Sequence, residues 1–557
     1  MIQHPPSTEH SPTHLSCLPY GVGHGQEGVC LQVQMGPYRF LLDCGLNNLD
    51  PLLTPSQPPA DAVFCSHAHP DHARGLMALH QAFPKLPIYA SEVTGQLLPL
   101  NWPEKGPLKT EDFCQVLPWG TSVELFKNLT VQLFRAGHLP GAAAILLSYQ
   151  TPQRIYKLFY TGDFSLSNLQ LVEGLSVEGL RGLSPDVLII EGTYGTTRHP
   201  HRRQQEKHLM QRINECLTRG YRVVLPVPRL GLGQEILKLL RSHHQFTGQD
   251  LDIWVDGQVA NACDRYLDLL PEFPLSVQNF AKHQPLFWDE RICPRLRRLT
   301  PQQRGKLGET PCIVLTDDVM ALYDEGYLML GSWVMLIPAA PNEGQTDESP
   351  EIVTFMQGHS IHSESYLLAE HSDGRNTTQL IHNLRPQHIL FVHGSPINLT
   401  DLTSLEELQN RYQLHLPSAG KLVELPLGDK FIQPAAPSPS SYEGELNELE
   451  TNITITLPQT ILKDPHWRYF ADTGLIEARW QGDELVLRGV SQRELLSQSN
   501  SNRVVNDLDC CLTCRHYRGQ KCWNSQSPLY GFKVTPEGFC PVFEPVDQEE
   551  DSPINNE

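Results

Sequence analysis

The sequence predicts an α/β protein in which a layered sandwich is interrupted by an inserted α/β domain and followed by a small cysteine-rich module. Short apolar strands that end in polar residues fill the region before residue 196, which is typical of a sandwich. Helices alternate with strands from about residue 197, which indicates the insert. Five cysteines crowd between Cys510 and Cys540 and predict the module. A chain of 557 residues can hold about two to four such domains.

The composition is that of an ordinary globular protein, with 40% apolar and 19% charged residues. No apolar run approaches the ~18 residues that span a bilayer, and the N-terminus has neither the basic nor the apolar region of a secretory signal. We therefore expect a soluble, cytoplasmic protein without a membrane partner. The net charge of −20 argues against extensive wrapping of nucleic acid, although a local basic groove is compatible with it.

Seven apolar segments in the first part read as strands. They are VCLQVQM, YRFLLDCG, DAVFCSHAHPDH, LTVQLFRAGH, AAAILLSY, KLFYTGD and DVLIIEGTYG, and most end in a polar residue. This layout predicts a sandwich that carries its functional site on strand-end loops.

The middle of the chain changes to helix and strand in alternation. Leu209, Ile213 and Leu217 share one helix face before Gly220, RVVLPV follows as a strand, and QEILKLLRSHH as a second helix. EIVTFM and HILFVHG then mark a return of the first pattern. The predicted segments are the first part of the sandwich (16–196), the insert (197–345), the return (346–430), a Pro/Ser linker (431–448), a β-rich segment (449–506), the cysteine-rich module (507–545) and an acidic tail expected to be disordered (546–557).

The densest chemical motif places three imidazoles and a carboxylate in six residues. These are His67, His69, Asp71 and His72, directly after a strand. His138, Asp163 and His393 follow in order, each at a strand end. Imidazole and carboxylate are suitable zinc ligands, and a tight loop can direct alternate side chains to two ions. A single His-x-His pair would be equally compatible with surface histidines, but the ordered set of seven is not.

This motif order resembles the metallo-β-lactamase superfamily, and the similarity extends from Cys30 to Leu427. The resemblance implies a first zinc on His67, His69 and His138. It implies a second zinc on Asp71, His72 and His393. Asp163 would bridge the two ions, which would share a hydroxide of lowered pKa, with Asp71 also counted in the catalytic machinery. Asp43 resembles the buried aspartate that orients a ligand imidazole; a strand-end turn aspartate is the alternative.

Three further motifs resemble the β-CASP nuclease branch of that superfamily. They map onto Glu191 in DVLIIEGTYG, His371 in AEHSD and His393 in FVHG. EGTYG and YTGDFS look more like the archaeal and eukaryotic pre-mRNA 3′-end cleavage nucleases than like RNase J. His359 and His362 compete for the middle motif, but only His371 is followed by Ser-Asp at the expected distance from VHG. The resemblance implies that this histidine assists the leaving oxygen, which needs a proton or positive charge.

Several positions depart from the branch. Pro228, Arg229 and Leu232 replace the usual residues of the insert strand, and Thr316-Asp317-Asp318 stands where a glycine-rich loop is usual. Carboxylates there would repel a phosphate backbone.

Arginines could still bind phosphate, because the guanidinium bonds two oxygens at once. We assign substrate binding to Arg229 and Arg198. Further basic residues, with a solvated helix face as the alternative, are Arg202, Arg203, Arg291, Arg295, Arg297, Arg298, Arg304 and Lys306.

The C-terminal cysteines form a Cys-x-x-Cys pair with two later thiols. Cys511, Cys514, Cys522 and Cys540 could hold one zinc ion or an iron–sulfur cluster. The alternative is a set of reduced structural cysteines. A segment this short needs a staple to fold, which favours the metal.

The sequence therefore predicts a metal-dependent hydrolase, most simply a ribonuclease that cuts single-stranded RNA as an endonuclease or 5′-exonuclease. Two other functions remain open. One is hydrolysis of a small ester, thioester or lactam by the same site, and the other is a weakly active partner subunit of an RNA-processing nuclease. A homodimer is compatible with the sequence.

Overall fold

The computed structural model describes residues 15–54, 57–105, 113–305, 307, 310–329, 332–339 and 361–427. Beyond these it describes residues 445–449, 452–456, 476–481, 484–489, 514–518 and 521–524. The chain forms two compact units, Met1–Ala436 and Pro437–Glu557.

The first sheet of the first unit has seven strands. Their spatial order is Val423–Glu424, Leu15–Val22, Val29–Met35, Tyr38–Leu42, Ala62–Phe64, Ile88–Ser91 and Gln115–Leu117. Pairing is antiparallel up to Tyr38–Leu42 and parallel beyond it. In VCLQVQM the apolar residues Leu31, Val33 and Met35 are buried, whereas the glutamines between them are half-buried, as strand alternation requires.

The second sheet also has seven strands. Their spatial order is Gln413–His415, His388–Val392, Val187–Glu191, Ile155–Tyr160, Ala143–Gln150, Leu129–Arg135 and Val123–Phe126. Phe40 and Phe64 of the first sheet share a buried cluster with Ile145, Tyr160 and Ile189 of the second, so the two sheets face each other.

Helices cover the outer faces of both sheets. Leu76 and Leu79 belong to a buried cluster that includes Val63 of the first sheet, and Leu380 and Phe391 lie in the same cluster on the second. The covering helices are Asp50–Leu53, Pro70–Ala73, Leu76–Ala82, Glu92–Leu97, Gly374–Leu384, Pro396–Ser404 and Glu406–Gln409. Short 3₁₀ turns span Leu98–Asn101, Pro103–Lys105 and Glu178–Leu180. The predicted sandwich, helices outside and two sheets within, is confirmed.

A third sheet of six parallel strands forms the insert. Its order is Arg295–Arg298, Asp252–Val255, Cys312–Thr316, Arg222–Pro226, Trp333–Pro338 and His362–Tyr366. Its helices are Arg202–Thr218, Leu232–Ser242, Gly257–Asp268, Leu275–His283, Pro301–Arg304 and Val319–Asp324, with 3₁₀ turns at Leu270–Glu272 and Tyr327–Met329. The first helix ends just before Gly220, whose φ of 81° suits the residue after a helix.

The insert extends further than predicted. Strand His362–Tyr366 pairs with Trp333–Pro338, so the sandwich returns after Tyr366 rather than at residue 346. The strand, HSESY, was missed because it lies at the sheet edge, where partial exposure allows polar residues and removes the apolar pattern. The EIVTFM segment lies outside the described residues.

The second unit contains three antiparallel strand pairs in its described part. They are Glu445–Leu449 with Asn452–Thr456, Ile476–Gln481 with Glu484–Gly489, and Tyr517–Arg518 with Lys521–Cys522. The first strand begins inside the predicted linker 431–448, which therefore ends earlier than predicted. The acidic tail lies outside the described residues. Within the described part of the chain, no helix is both long and apolar enough to cross a membrane.

Candidate metal centre

The predicted donor residues meet at one edge of the sandwich. Four strands of the second sheet are oriented in the same direction, as are two strands of the first. All six end at this edge, which brings residues from distant parts of the sequence together. The donors that follow these strand ends are His67, His69, Asp71, His72, His138, Asp163 and His393.

The first donor group consists of His67, His69, His138 and Asp163, whose donor atoms all lie within 4.8 Å of one another. His69 Nδ1 is 3.0 Å from His138 Nε2. Asp163 Oδ2 is 3.4 Å from His67 Nε2 and 3.7 Å from His138 Nε2. Three imidazoles and one carboxylate at this spacing match a tetrahedral site for a divalent ion.

The second donor group consists of Asp71, His72 and His393. Asp71 Oδ2 lies 3.1 Å from His393 Nε2 and 3.7 Å from His72 Nε2. Asp163 Oδ2 also lies 3.3 Å from His72 Nε2, so this carboxylate stands between the two groups. One carboxylate therefore has the position needed to bridge two ions.

Three buried donor atoms lack hydrogen-bond partners among the described residues, as expected of residues that bind a metal. His67 Nε2, His72 Nε2 and Asp163 Oδ1 are fully buried, and none of them has a hydrogen-bond partner. Burying polar atoms in this way is costly unless something pairs with them. All three atoms belong to residues of the donor groups, and divalent ions held there would pair with them.

The two groups differ in charge. Burial lowers the pKa of both His67 and His138, which keeps these imidazoles neutral, as metal ligands must be. Burial also acts to lower the pKa of His72, but the carboxylates of Asp163 and Asp71 outweigh it and hold that pKa well above its ordinary value. The surroundings of the second group thus favour a positive charge.

Asp43 lies directly behind the second group. Its Oδ2 is 2.8 Å from His72 Nδ1, and the carboxylate also accepts hydrogen bonds from the Ser66 amide and hydroxyl and the Tyr160 hydroxyl. Asp43 holds a φ of 59°, so its backbone is bent into this position after strand Tyr38–Leu42. The carboxylate can fix the ring and tautomer of His72.

His371 lies beside the centre and is paired with Glu191. Its Nδ1 is 3.0 Å from both oxygens of that carboxylate, and its ring centroid is 4.6 Å from that of His138. Burial acts to lower the pKa of His371, but Glu191 outweighs it and raises the pKa to about 9. Such a histidine carries a proton at neutral pH.

The competing histidine His362 lies elsewhere. Its side chain is 66% exposed and contacts Glu364 on the edge strand of the insert, away from the donor groups. His359 lies outside the described residues. Of the two described candidates, only His371 can act in this site.

Comparison with known proteins agrees with this geometry. Residues 38–217 match the family described as Beta-lactamase superfamily domain. An uncharacterised protein of Synechocystis sp. is 52% identical, and the match covers 96% of this chain and 97% of the relative. The RNase J-like protein of Methanocaldococcus jannaschii is 27% identical, covering 52% of this chain and 68% of the relative. Cleavage and polyadenylation specificity factor 73 of Drosophila melanogaster is 24% identical, covering 72% and 62%. The chain therefore contains a metallo-β-lactamase superfamily domain, and its named relatives support the β-CASP nuclease branch of that superfamily.

The position within the β-CASP branch stays a prediction. Relatives named RNase J-like and relatives named for 3′-end processing occur at similar identity, 27% and 24%. The expected greater likeness to the 3′-end nucleases is therefore not decided by these matches.

The structure corrects the predicted basic groove. Arg202 is buried and donates a hydrogen bond to the Ala369 carbonyl, so it cannot face a substrate. Most arginines of the later cluster pair with carboxylates: Arg295 with Asp250 and Asp252, Arg297 with Asp252 and Glu290, Arg298 with Asp264, and Arg304 with Asp256 and Glu325. Lys306 lies outside the described residues. The later cluster is thus a set of surface ion pairs.

The two arginines that were assigned to substrate binding are not fully buried. Arg198 is exposed after strand Val187–Glu191. Arg229 is half-buried and donates a hydrogen bond to the Leu100 carbonyl of the sandwich, and its charge acts to lower the pKa of Asp317. Burial nevertheless raises that pKa overall.

Several residues of the site were not singled out from the sequence. Thr193 contacts Glu191 and His393, and Ser66 contacts His67. Both residues follow strands that end at the site, and this position after an apolar strand is the sequence signal that predicts them. The backbone carbonyls of Leu230 and Glu370, which contact the first donor group, have no sequence signal.

Proposed function

We propose that this protein is a ribonuclease that uses two zinc ions to cleave RNA phosphodiesters. The observation that carries the proposal is the pair of donor groups sharing Asp163, with the His371–Glu191 pair beside them. Two divalent ions held there would lower the pKa of water and so make it a nucleophile at neutral pH. Zinc is favoured because five of the seven donors are imidazoles.

The chain's own residues supply the remaining steps. Each ligand histidine is held in position by a contact to the ring nitrogen that faces away from the metal site. These histidines are His67, His69, His72, His138 and His393. His371, held by Glu191, presents its other nitrogen as a proton donor. As the bond between phosphorus and the 3′ oxygen breaks, this proton neutralises the leaving oxygen.

RNA is favoured as the substrate by the inserted third sheet and by the relatives. The M. jannaschii relative is named RNase J-like, and the Drosophila relative is named for cleavage and polyadenylation. Arg198 and Arg229 are the cations that we assign to the phosphate backbone.

One observation favours a second candidate, a hydrolase of small esters. The later arginines form ion pairs with the carboxylates of Asp250, Asp252, Asp264 and Asp256. These arginines therefore have little positive charge left to bind a long polyanion. A small ester would need only the donor groups and His371.

The C-terminal cysteines are proposed to hold one further zinc or an iron–sulfur cluster. Cys514 and Cys522 are both buried. Tyr517 pairs with Cys522, and the Tyr517 amide donates to the Cys514 carbonyl, which forms a tight turn between the thiols. Cys511 and Cys540 lie outside the described residues. Metal analysis of the full chain should therefore find a third metal centre that Cys514→Ser loses.

The test is a substrate panel on the metal-loaded full chain. We expect cleavage of 5′-labelled single-stranded RNA, with DNA and a generic carboxylic ester processed far more slowly. The label also distinguishes internal cuts from stepwise release at the 5′ end. Ester hydrolysis without RNA cleavage would overturn the ribonuclease in favour of the second candidate.

A further inference from the structure

The outer nitrogens of two ligand histidines contact the insert and the segment that follows it. His69 Nδ1 faces His138, and its other nitrogen, Nε2, lies 3.4 Å from the carbonyl oxygen of Leu230. His138 Nδ1 lies 3.1 Å from the carbonyl oxygen of Glu370. An N–H donated to a carbonyl fixes both the ring orientation and the tautomer of a ligand histidine. Both contacts belong to the first donor group.

Gly231 allows this approach. Its φ of 90° and ψ of −97° lie in a region that other residues rarely adopt, and helix Leu232–Ser242 starts immediately after it. A Cβ at this position would lie 2.9 Å from Glu370 Oε1 and 3.5 Å from His69 Nε2. A side chain here would force the backbone to rotate and would move the Leu230 carbonyl.

Buried contacts fix this loop against the sandwich. The Glu235 carboxylate, one turn into the same helix, accepts hydrogen bonds from the amides of Gln170 (2.5 Å) and Leu171 (2.8 Å). Arg202 of the insert donates to the Ala369 carbonyl at 2.5 Å, next to Glu370. The positions of both carbonyls therefore depend on how the insert docks.

We propose that docking of the insert on the sandwich strengthens metal binding at the first site. Because the two carbonyls contact the first group and, among the described residues, not the second, docking acts mainly on the affinity of the first site. Binding linkage is reciprocal, so an ion bound in the first site must in turn stabilise the docked position of the insert. This inference rests on the metal binding of the proposed function.

The first test compares Gly231→Ala with Gly248→Ala. Gly248 also has a positive φ, 81°, but a Cβ there meets nothing within 4 Å. Metal-free protein is titrated with zinc against a chromophoric chelator. We expect Gly231→Ala to bind one catalytic ion ~10–100-fold more weakly and the other normally, since outer contacts of ligands have this size of effect. Gly248→Ala should match the wild type. Equal loss of both ions, or of neither, would overturn the proposal.

A second test needs no change to the loop. Hydrogen exchange of the Gln170 and Leu171 amides reports whether Glu235 is docked. We expect zinc to slow their exchange in the wild type, but not in His69→Ala, which keeps the second donor group intact. Identical slowing in both proteins would show that the first site does not hold the insert.

The two failures can be distinguished. Wild-type protein that binds no zinc at the catalytic centre contradicts the proposed function itself. Wild-type protein that binds both ions, with unchanged affinities in Gly231→Ala and unchanged exchange at the two amides, contradicts only the coupling.

Discussion

The two donor groups of the metal centre are supported by different parts of the chain. In the first group, His69 and His138 contact backbone carbonyls of the insert and its return. In the second, His72 contacts the Asp43 carboxylate and His393 contacts the Thr193 hydroxyl, both side chains of the sandwich. The second site is thus complete within the sandwich, whereas the first needs a second domain in place. Domain position can therefore affect one ion without affecting the other.

Asp163 is the residue that the two groups share, and its loss should have the largest effect. Replacing Asp163 with Ala removes a carboxylate that lies between His67, His138 and His72. We expect Asp163→Ala to lose at least one ion by native mass spectrometry and to abolish hydrolysis. Full activity in this variant would show that the active site has been assigned wrongly.

His371 lies near the donor residues Asp163 and His393 but is paired with Glu191, and we expect it to act in catalysis rather than as a ligand. We expect His371→Ala to lower turnover by ~10²–10⁴ while both ions remain bound. His362→Ala is the matched control, since His362 contacts only an exposed edge of the insert. A silent His371→Ala together with a large loss in His362→Ala would show that the middle motif was misplaced.

The sequence predicted the second group more completely than the first. Asp43 could be identified because it resembles the buried aspartate of the superfamily's first motif, and the structure places it 2.8 Å from His72. The supports of the first group are the carbonyls of Leu230 and Glu370, and every residue type has a carbonyl. The Leu230 contact comes from the docking of the insert on the sandwich, and the Glu370 contact from the segment that returns to the sandwich; local sequence patterns encode neither.

The same limit explains the errors in the fold and the groove. The apolar strands of the sandwich were predicted because burial on one or both faces leaves a clear pattern. The edge strand His362–Tyr366 has no such pattern, since half of it faces solvent. The later arginines were grouped by their spacing, but their carboxylate partners come from other segments, as Asp264 does for Arg298.

Asp43 contacts a ligand of the second group directly and reaches the first group only through Ser66. Asp43→Asn keeps the shape of the side chain but removes the charge and can place an N–H donor against His72 Nδ1. We expect the second ion to bind ~10–100-fold more weakly, with a clearly smaller loss at the first ion, because only Ser66 links Asp43 to His67. Asp61→Asn is the control, because the Asp61 carboxylate also accepts a backbone N–H, that of Arg39, but lies on the surface. Equal weakening of both ions would contradict the separation of the two groups.

The smallest expected effect concerns Thr193, the other support of the second group. Its hydroxyl donates to Glu191 and lies 2.9 Å from His393 Nδ1, so it orients this ligand through one neutral contact. Thr193→Val preserves the side-chain shape and removes both hydrogen bonds, but only the one to His393 acts directly on a ligand, and it contributes about 1 kcal/mol. We therefore expect a loss of only ~2–10-fold in zinc affinity at the second site. Thr193→Ser, which keeps the hydroxyl, should restore wild-type binding. A charged carboxylate binds an imidazole N–H more strongly than a hydroxyl does. We therefore expect Asp43→Asn to lower zinc affinity at the second site more than Thr193→Val does. The reverse order, measured by the same chelator competition, would show that the second site depends on His393 more than on His72.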